Sequence, residues 1–366
     1  MKKYFFPSLL ILLFIASSCH VARFFYYNAA DMNDYKKFPS KEIKTSTTVY
    51  KFAESPNLKN INIPQEITSL KFTDFNDFLV KSKTLSLLVI KNDTIYYEKY
   101  LSDKTEESIF TSFSVSKSFV SALIGIAIGE GYIKNVNEPI TNYIDYFTDK
   151  RFNNITIEHL LNMKSGIYFN ENYFNPFGDI AKYYYGTNLK KYLKKLTIKE
   201  KPGVNYDYLS VNTLLLSQIL EKATGKKTSD YLQEKIWKPL GMEWDASWSV
   251  DSKKNQTIKA FCGLNSHTRD YAKFGRLYLN NGNWNGKQII PNNWIKNSIT
   301  YSKDSTQKVY YNYQWRVCNL GDFYAQGVLG QYIYVYPEKN IIIVRNGSNY
   351  GIKNWLDVFR YIAIHI

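Results

Sequence analysis

The chain reads as an α+β fold in which an antiparallel sheet is built from both chain ends and a helical region is inserted between them. Two hairpins and a set of helical periods carry that reading. Leu85 to Ile90 and Ile95 to Tyr100 are β-type runs separated by the turn-forming Lys91-Asn92-Asp93-Thr94. Tyr332 to Tyr336 and Ile341 to Arg345 make a second hairpin around Pro337-Glu338-Lys339-Asn340. Between them the apolar period is helical: Ile157 to Met163, Val211 to Ala223 ending at Gly225, Ser229 to Trp237 before Pro239, and Arg269 to Leu279 before Gly282. Trp355 to Ile364 reads as a closing helix.

In chain order, Lys2 and Lys3 precede an apolar run from Tyr4 to Ala16, followed by Ser17, Ser18 and Cys19. This is a secretory pattern with small residues ahead of a cysteine, so residues 1–19 are expected to be a signal peptide or lipoprotein signal with Cys19 lipidated. An uncleaved anchor reaching into Val21 to Tyr27 is the alternative. Either expectation places the protein outside the cytoplasm, in the cell envelope and held at a membrane surface. Residues 20–64 are polar, carry Pro39, Pro56 and Pro64, and show no sustained period, which suits an extended arm or linker. The folded domain is then residues 65–366.

The net charge of +15 comes from lysines scattered along the 366 residues, a solvated surface rather than a stripe. With an export signal, such a surface suits an anionic membrane or cell-wall polymer and argues against nucleic acid. Cys262 and Cys318 make no disulfide framework and no CxxC pair, and histidines 20, 159, 267 and 365 have no metal-ligand spacing. No metal or cofactor is expected, and His159, inside Ile-Glu-His-Leu-Leu, reads as structural.

Three constellations carry chemistry. In Thr111-Ser-Phe-Ser114-Val-Ser-Lys117 the hydroxyl and the amine are three residues apart at a helix start, on one face. An amine held there can take the serine proton and activate a weak nucleophile. The apolar residues from Phe119 to Ile128 make the helix a buried one, so Lys117 has to be paired, desolvated or functional. The bland alternative is a serine-rich N-cap with a solvated lysine. In the second constellation, Pro202-Gly203-Val204-Asn205-Tyr206-Asp207-Tyr208-Leu209-Ser210, a tyrosine stands just before a helix, either facing a cleft or as a half-buried aromatic. The third, Ala325-Gln326-Gly327-Val328-Leu329-Gly330-Gln331, is glycine-rich ahead of a strand and permits close backbone approach to a ligand, or is a bend at a strand edge.

Together these motifs resemble the serine β-lactamase and penicillin-binding superfamily, most of all class C β-lactamase-like esterases and 6-aminohexanoate-dimer hydrolases. The resemblance runs from about residue 65 to the C-terminus. Thr156 to Gly166, Leu240-Gly241-Met242 and Phe261 to Asn265 leading into Thr268-Arg269-Asp270 add to it. It implies a β-lactamase/transpeptidase-like fold, a sheet flanked by helices with an all-helical second region and a cleft between. It also implies Ser114 as the acylated nucleophile, Lys117 as its proton acceptor, and Tyr208 of a Tyr-x-Ser motif, with Ser210 in third place, as the group assisting the leaving group. Tyr173 resembles the loop tyrosine that contacts a leaving amine. The N–H groups of Ser114 and Val328, beside Gly327, would form the oxyanion hole, donors worth roughly 3 kcal/mol each in such reactions.

One departure matters. The superfamily's Lys-Thr-Gly strand motif is Ala325-Gln326-Gly327 here, without the cation that grips a substrate carboxylate, which argues against an efficient β-lactamase or DD-peptidase. The expectation is a serine hydrolase cleaving a small-molecule carboxylic ester or linear amide. The alternatives are a penicillin-binding, DD-peptidase-like enzyme, a non-catalytic cell-envelope binding protein, and a Ser-His-Asp hydrolase recruiting His267 and Asp270.

Overall fold

The computed structural model describes residues 20–27, 29–55, 60–302 and 307–366. The Cys19 signal lies outside them, and no helix among the described residues is long and apolar enough to cross a membrane. The main sheet has eight strands: β1 Ala53–Glu54, β2 Thr84–Lys91, β3 Thr94–Tyr100, β4 Val309–Asn312, β5 Trp315–Cys318, β6 Phe323–Gly327, β7 Gln331–Tyr336 and β8 Ile341–Gly347. They lie in the order β4-β5-β6-β7-β8-β2-β3-β1, so strands from both chain ends meet at the β8–β2 seam, as the two hairpins predict. Every pair is antiparallel except β1 with β3. Asn92 and Asp93 sit at positive φ, 52° and 59°, the geometry a two-residue turn needs to match the strand twist.

Strand β2 is buried on both faces because helices cover both sides. Leu87 and Val89 face α1 (Phe75–Lys81) and α6 (Trp355–His365), where Phe78 and Trp355 meet at 5.6 Å between ring centroids. Leu88 and Ile90 belong to the larger core with α2 (Ser116–Gly129) and α5 (Thr268–Leu279), in which Phe119 stacks on Phe274 at 3.7 Å. Helix α4 (Ser210–Thr224) packs against α2 and is preceded by α3 (Ile157–Leu161). The helical region between the sheet halves also holds a small antiparallel ribbon, Ile167–Tyr168 with Thr197–Ile198. The helix expected over Ser229 to Trp237 is an α-helical turn at Thr228–Leu232 that widens into a π-turn at Gln233–Trp237.

A second, four-stranded sheet positions the site. Its order is Ser40–Ile43, Ala246–Ser249, Leu264–Ser266 and Phe110–Thr111. The stretch expected to be an arm is therefore extended in part but docked. Ser40–Ile43 forms one edge of the sheet whose other edge runs into Ser112 to Ser114. Ile43 is fully buried, and Met32, Phe38, Phe52, Ile61 and Ile63 are buried too, so residues 65–366 do not close their own core. Nothing local in a polar, proline-bearing stretch announces such long-range pairing.

Replacing a fully buried isoleucine by alanine removes transfer energy and leaves a cavity, at a cost of roughly 2–5 kcal/mol. Ile43→Ala should lower the unfolding free energy by that amount, seen as a lower urea midpoint with m unchanged, and a shift within error of zero would show the arm to be dispensable.

Candidate active site

Ser114 does not start the α-helix. It sits in a 3₁₀ turn, Phe113–Val115, that leads into α2. In a 3₁₀ turn the side chains at i and i+3 eclipse, so the spacing that suggested a shared helical face still brings hydroxyl and amine together. Lys117 Nζ lies 3.0 Å from Ser114 Oγ and donates to the Phe261 carbonyl at 2.9 Å. Lys117 is 1% exposed, and no side chain caps α2, which removes the solvated-lysine reading. Phe113, buried, has φ +45°, a left-handed conformation that costs about 1–3 kcal/mol and has to be held by its surroundings. The holders can be named: Ser112 N–H donates to Leu264 O at 2.9 Å, and Ser116 Oγ donates to Phe113 O and Ala260 O at 2.8 and 3.0 Å.

Strand β6 closes the other side of the turn. A Cβ on Gly327 would stand 2.4 Å from Ser112 O and 3.2 Å from Ser114 N. The glycine admits the backbone of the Ser114 turn, and the residue after it is Val328. Ala325 is 1% exposed and packed in the core, so no cation rises from that position.

Tyr208 lies at the entry to α4. Lys117 Nζ is 5.1 Å from its ring centroid and Arg316 Cζ, from β5, is 5.7 Å away. Sequence reasoning passed over Arg316, because nothing in Gln-Trp-Arg-Val shows which face of which strand it occupies. It also missed Glu171. The Glu171 carboxylate accepts from Ser210 N–H at 2.9 Å, from Ser210 Oγ, and from the Tyr173 hydroxyl at 2.9 Å. Burial pushes its carboxyl above the usual range, against the pull of nearby Lys117 and of these bonds. Ser210, the third position of the Tyr-x-Ser motif, thus spends its hydroxyl tying the 170s loop to α4. Tyr173, 45% exposed, is held at the rim by the same carboxylate.

The remaining titratable groups are occupied elsewhere. His159 Nδ1 accepts from Thr156 N–H at 3.1 Å in a capping box, the structural role expected of it. His267 stacks on Trp244 at 4.7 Å, while Asp270 accepts from the Glu243 and Trp244 N–H groups and from Lys273, so this pair braces α5. Cys262 is buried with its thiol pushed up to about 12 by desolvation, too high for a nucleophile at neutral pH. A cavity of about 590 Å³ opens beside the end of β6, lined by Gln326, Tyr332, Tyr350 and Lys353 among others.

A serine hydroxyl beside a buried amine, in a turn pressed against a strand end, is the apparatus of a serine hydrolase. The chain belongs to the Beta-lactamase family, whose model matches residues 79–348. It is 24% identical over 302 residues to the 6-aminohexanoate-dimer hydrolase of Paenarthrobacter ureafaciens, covering 76% of each chain. Among solved structures it resembles a Bacillus anthracis protein provisionally named a 6-aminohexanoate-dimer hydrolase, with a TM-score of 0.78, 24% identity, and 90% and 91% of the two chains covered. It also resembles a class C beta-lactamase at a TM-score of 0.59 and 17% identity, over 79% and 92% of the chains. The resemblance drawn from the motifs and the fold class it implied both hold.

Two outcomes follow from this geometry. Gly327→Ala should leave a folded protein whose kcat has fallen about 100-fold or more, the scale of one lost oxyanion donor; wild-type kcat would mean that β6 does not set the Ser114 amide. Desolvation lowers the His267 pKa to about 4 from 6.5, so the stability of its neutral form is fully present above pH 6.5 and is lost as the pH falls toward 4. The melting temperature should drop across that window, and His267→Phe, which keeps a ring against Trp244, should flatten the drop.

Proposed function

We propose that the protein hydrolyses a small carboxylic ester or linear amide through a Ser114 acyl-enzyme. The observation that carries the reading is the buried Lys117 amine, shared between Ser114 Oγ and the Phe261 carbonyl with the Tyr208 ring alongside. Ser114 Oγ attacks the substrate carbonyl carbon and its proton passes to Lys117, so a C–O bond forms as the carbonyl π electrons move onto oxygen. The N–H groups of Ser114 and Val328 receive that oxyanion. The tetrahedral species collapses, breaking the bond to the leaving amine or alcohol, which takes its proton from the Lys117–Tyr208 pair. A water molecule then repeats the addition and frees the acid and Ser114. Glu171 acts through others: it fixes Ser210, and hence the entry of α4 that carries Tyr208, and it keeps Tyr173 at the rim where a leaving amine would pass.

Kinship with an enzyme named for an aminohexanoate dimer supports a linear amide as substrate. Ala325 in place of the motif lysine argues against turnover of penicillins. We further propose that residues 1–19 direct export and that Cys19 holds the domain at a membrane surface.

The test assays wild type, Ser114→Ala and His267→Ala on p-nitrophenyl butyrate, 6-aminohexanoate dimer and nitrocefin. Ester or amide turnover should fall by about 10⁴-fold or more in Ser114→Ala and stay near wild type in His267→Ala, with nitrocefin the poorest substrate. A loss in His267→Ala equal to that in Ser114→Ala would replace the lysine mechanism with a histidine one. A folded wild type with no turnover at all would favour a non-catalytic envelope protein.

A further inference from the structure

Arg316 reaches the site from the strand next to β6. Arg269, Arg276 and Arg360 pair with Glu98, Asp93 and Asp322, and the buried Arg345 donates to Thr84 Oγ1 and to the carbonyls of Ser82, Gly330 and Asn349. The guanidinium of Arg316 meets rings instead: its Cζ is 5.7 Å from the Tyr208 centroid, 5.6 Å from Tyr311 and 6.0 Å from Tyr324. No carboxylate among the described residues pairs with it. Tyr206 and Tyr350, half exposed, stand in the same neighbourhood, and Tyr350 also lines the cavity beside β6. Tyrosine faces attract a cation but leave its in-plane N–H donors free, and a guanidinium presents those donors as a planar fork that fits a carboxylate.

We propose that Arg316 is the substrate-carboxylate anchor of this enzyme, a cation supplied from β5 that takes over the task left vacant by Ala325 on β6. The inference rests on the acyl-enzyme reading above and narrows its substrate class to linear amides or esters that carry a free carboxylate away from the scissile bond. Lys117 Nζ and Arg316 Cζ flank one phenol ring and are no more than about 11 Å apart, roughly the span of three extended residues. A carboxylate held by Arg316 therefore places a carbonyl a short chain away at Ser114.

The experiment compares 6-aminohexanoate dimer with its C-terminal carboxamide, in wild type, Arg316→Gln and Arg316→Lys, each checked for wild-type circular dichroism and melting. A hydrogen bond to a charged group is worth about 10- to 100-fold in affinity. Wild type should prefer the acid over the carboxamide by that factor in kcat/KM, mostly through KM. Arg316→Gln should bring the ratio near one, and Arg316→Lys should restore part of it. Without any mutation, hexanoate should inhibit wild-type ester hydrolysis at least tenfold more strongly than hexanamide. Equal treatment of acid and carboxamide by wild type, equal inhibition by hexanoate and hexanamide, or an Arg316→Gln loss that falls equally on both substrates through kcat, would overturn the proposal. The Ser114→Ala control separates the two claims: if it is inactive while the acid preference is absent, only the anchor fails, and if it stays active the acyl-enzyme reading fails as well.

Discussion

The structure turns on one buried amine. An ammonium removed from water without partners is too costly to keep, so Lys117, 1% exposed, has to be met by oxygen atoms at fixed places. One is the Phe261 carbonyl, which comes from the loop leading into the small sheet; the other is Ser114 Oγ. Both must be delivered to within 3 Å of a nitrogen on the first turn of α2, so the position of the loop, the turn and the helix is one constraint. The left-handed Phe113, the Ser116 bonds to Phe113 O and Ala260 O, and the Ser112 tie to Leu264 O all serve that delivery. A serine hydroxyl accepting from a buried amine is a by-product of how the amine is kept inside.

The same constraint explains why the fold draws on distant parts of the chain. The turn is the continuation of an edge strand of the four-stranded sheet, whose opposite edge is Ser40–Ile43, and it is pressed from the other side by Gly327 at the end of β6. Residues near 110, 260 and 327 thus meet at the turn, with the strand at 40–43 on the far edge of the sheet that carries it. The strain in Phe113 is tolerable because its neighbours are held by a strand at Leu264, by α2 at Ser116 and by the buried turn at Ala260.

What was legible in the sequence follows from range. Both hairpins, the closing helix, α4 and α5 were readable because their signals are local: Asn92-Asp93 at a turn, glycines at helix ends, an apolar period within each segment. The Ser114–Lys117 pair was readable for the same reason, although the turn is 3₁₀. The docking of residues 40–43, the Glu171 clamp on Ser210, and the arrival of Arg316 beside Tyr208 were not, because each joins segments far apart in sequence with no local pattern to announce the partner. At Gly327 the missing Cβ makes room for the Ser112–Ser114 backbone, and a string of letters cannot say which segment comes that close.

Tyr208 stands between two cations of different character. Lys117 lies 3.0 Å from Ser114 Oγ and is enclosed, the place of the proton acceptor in the proposed acyl-enzyme reading; Arg316 is half-buried among phenol rings, the place of the proposed substrate anchor. A lysine at 325 would rise from β6, the strand pressed against the Ser114 turn, whereas Arg316 rises from the neighbouring β5. On β5, one strand outward, the second cation has phenol faces around it and shares the Tyr208 ring with Lys117. In the proposed reading, recognition and proton transfer can therefore be altered separately, by changing β5 without disturbing the turn that holds Ser114.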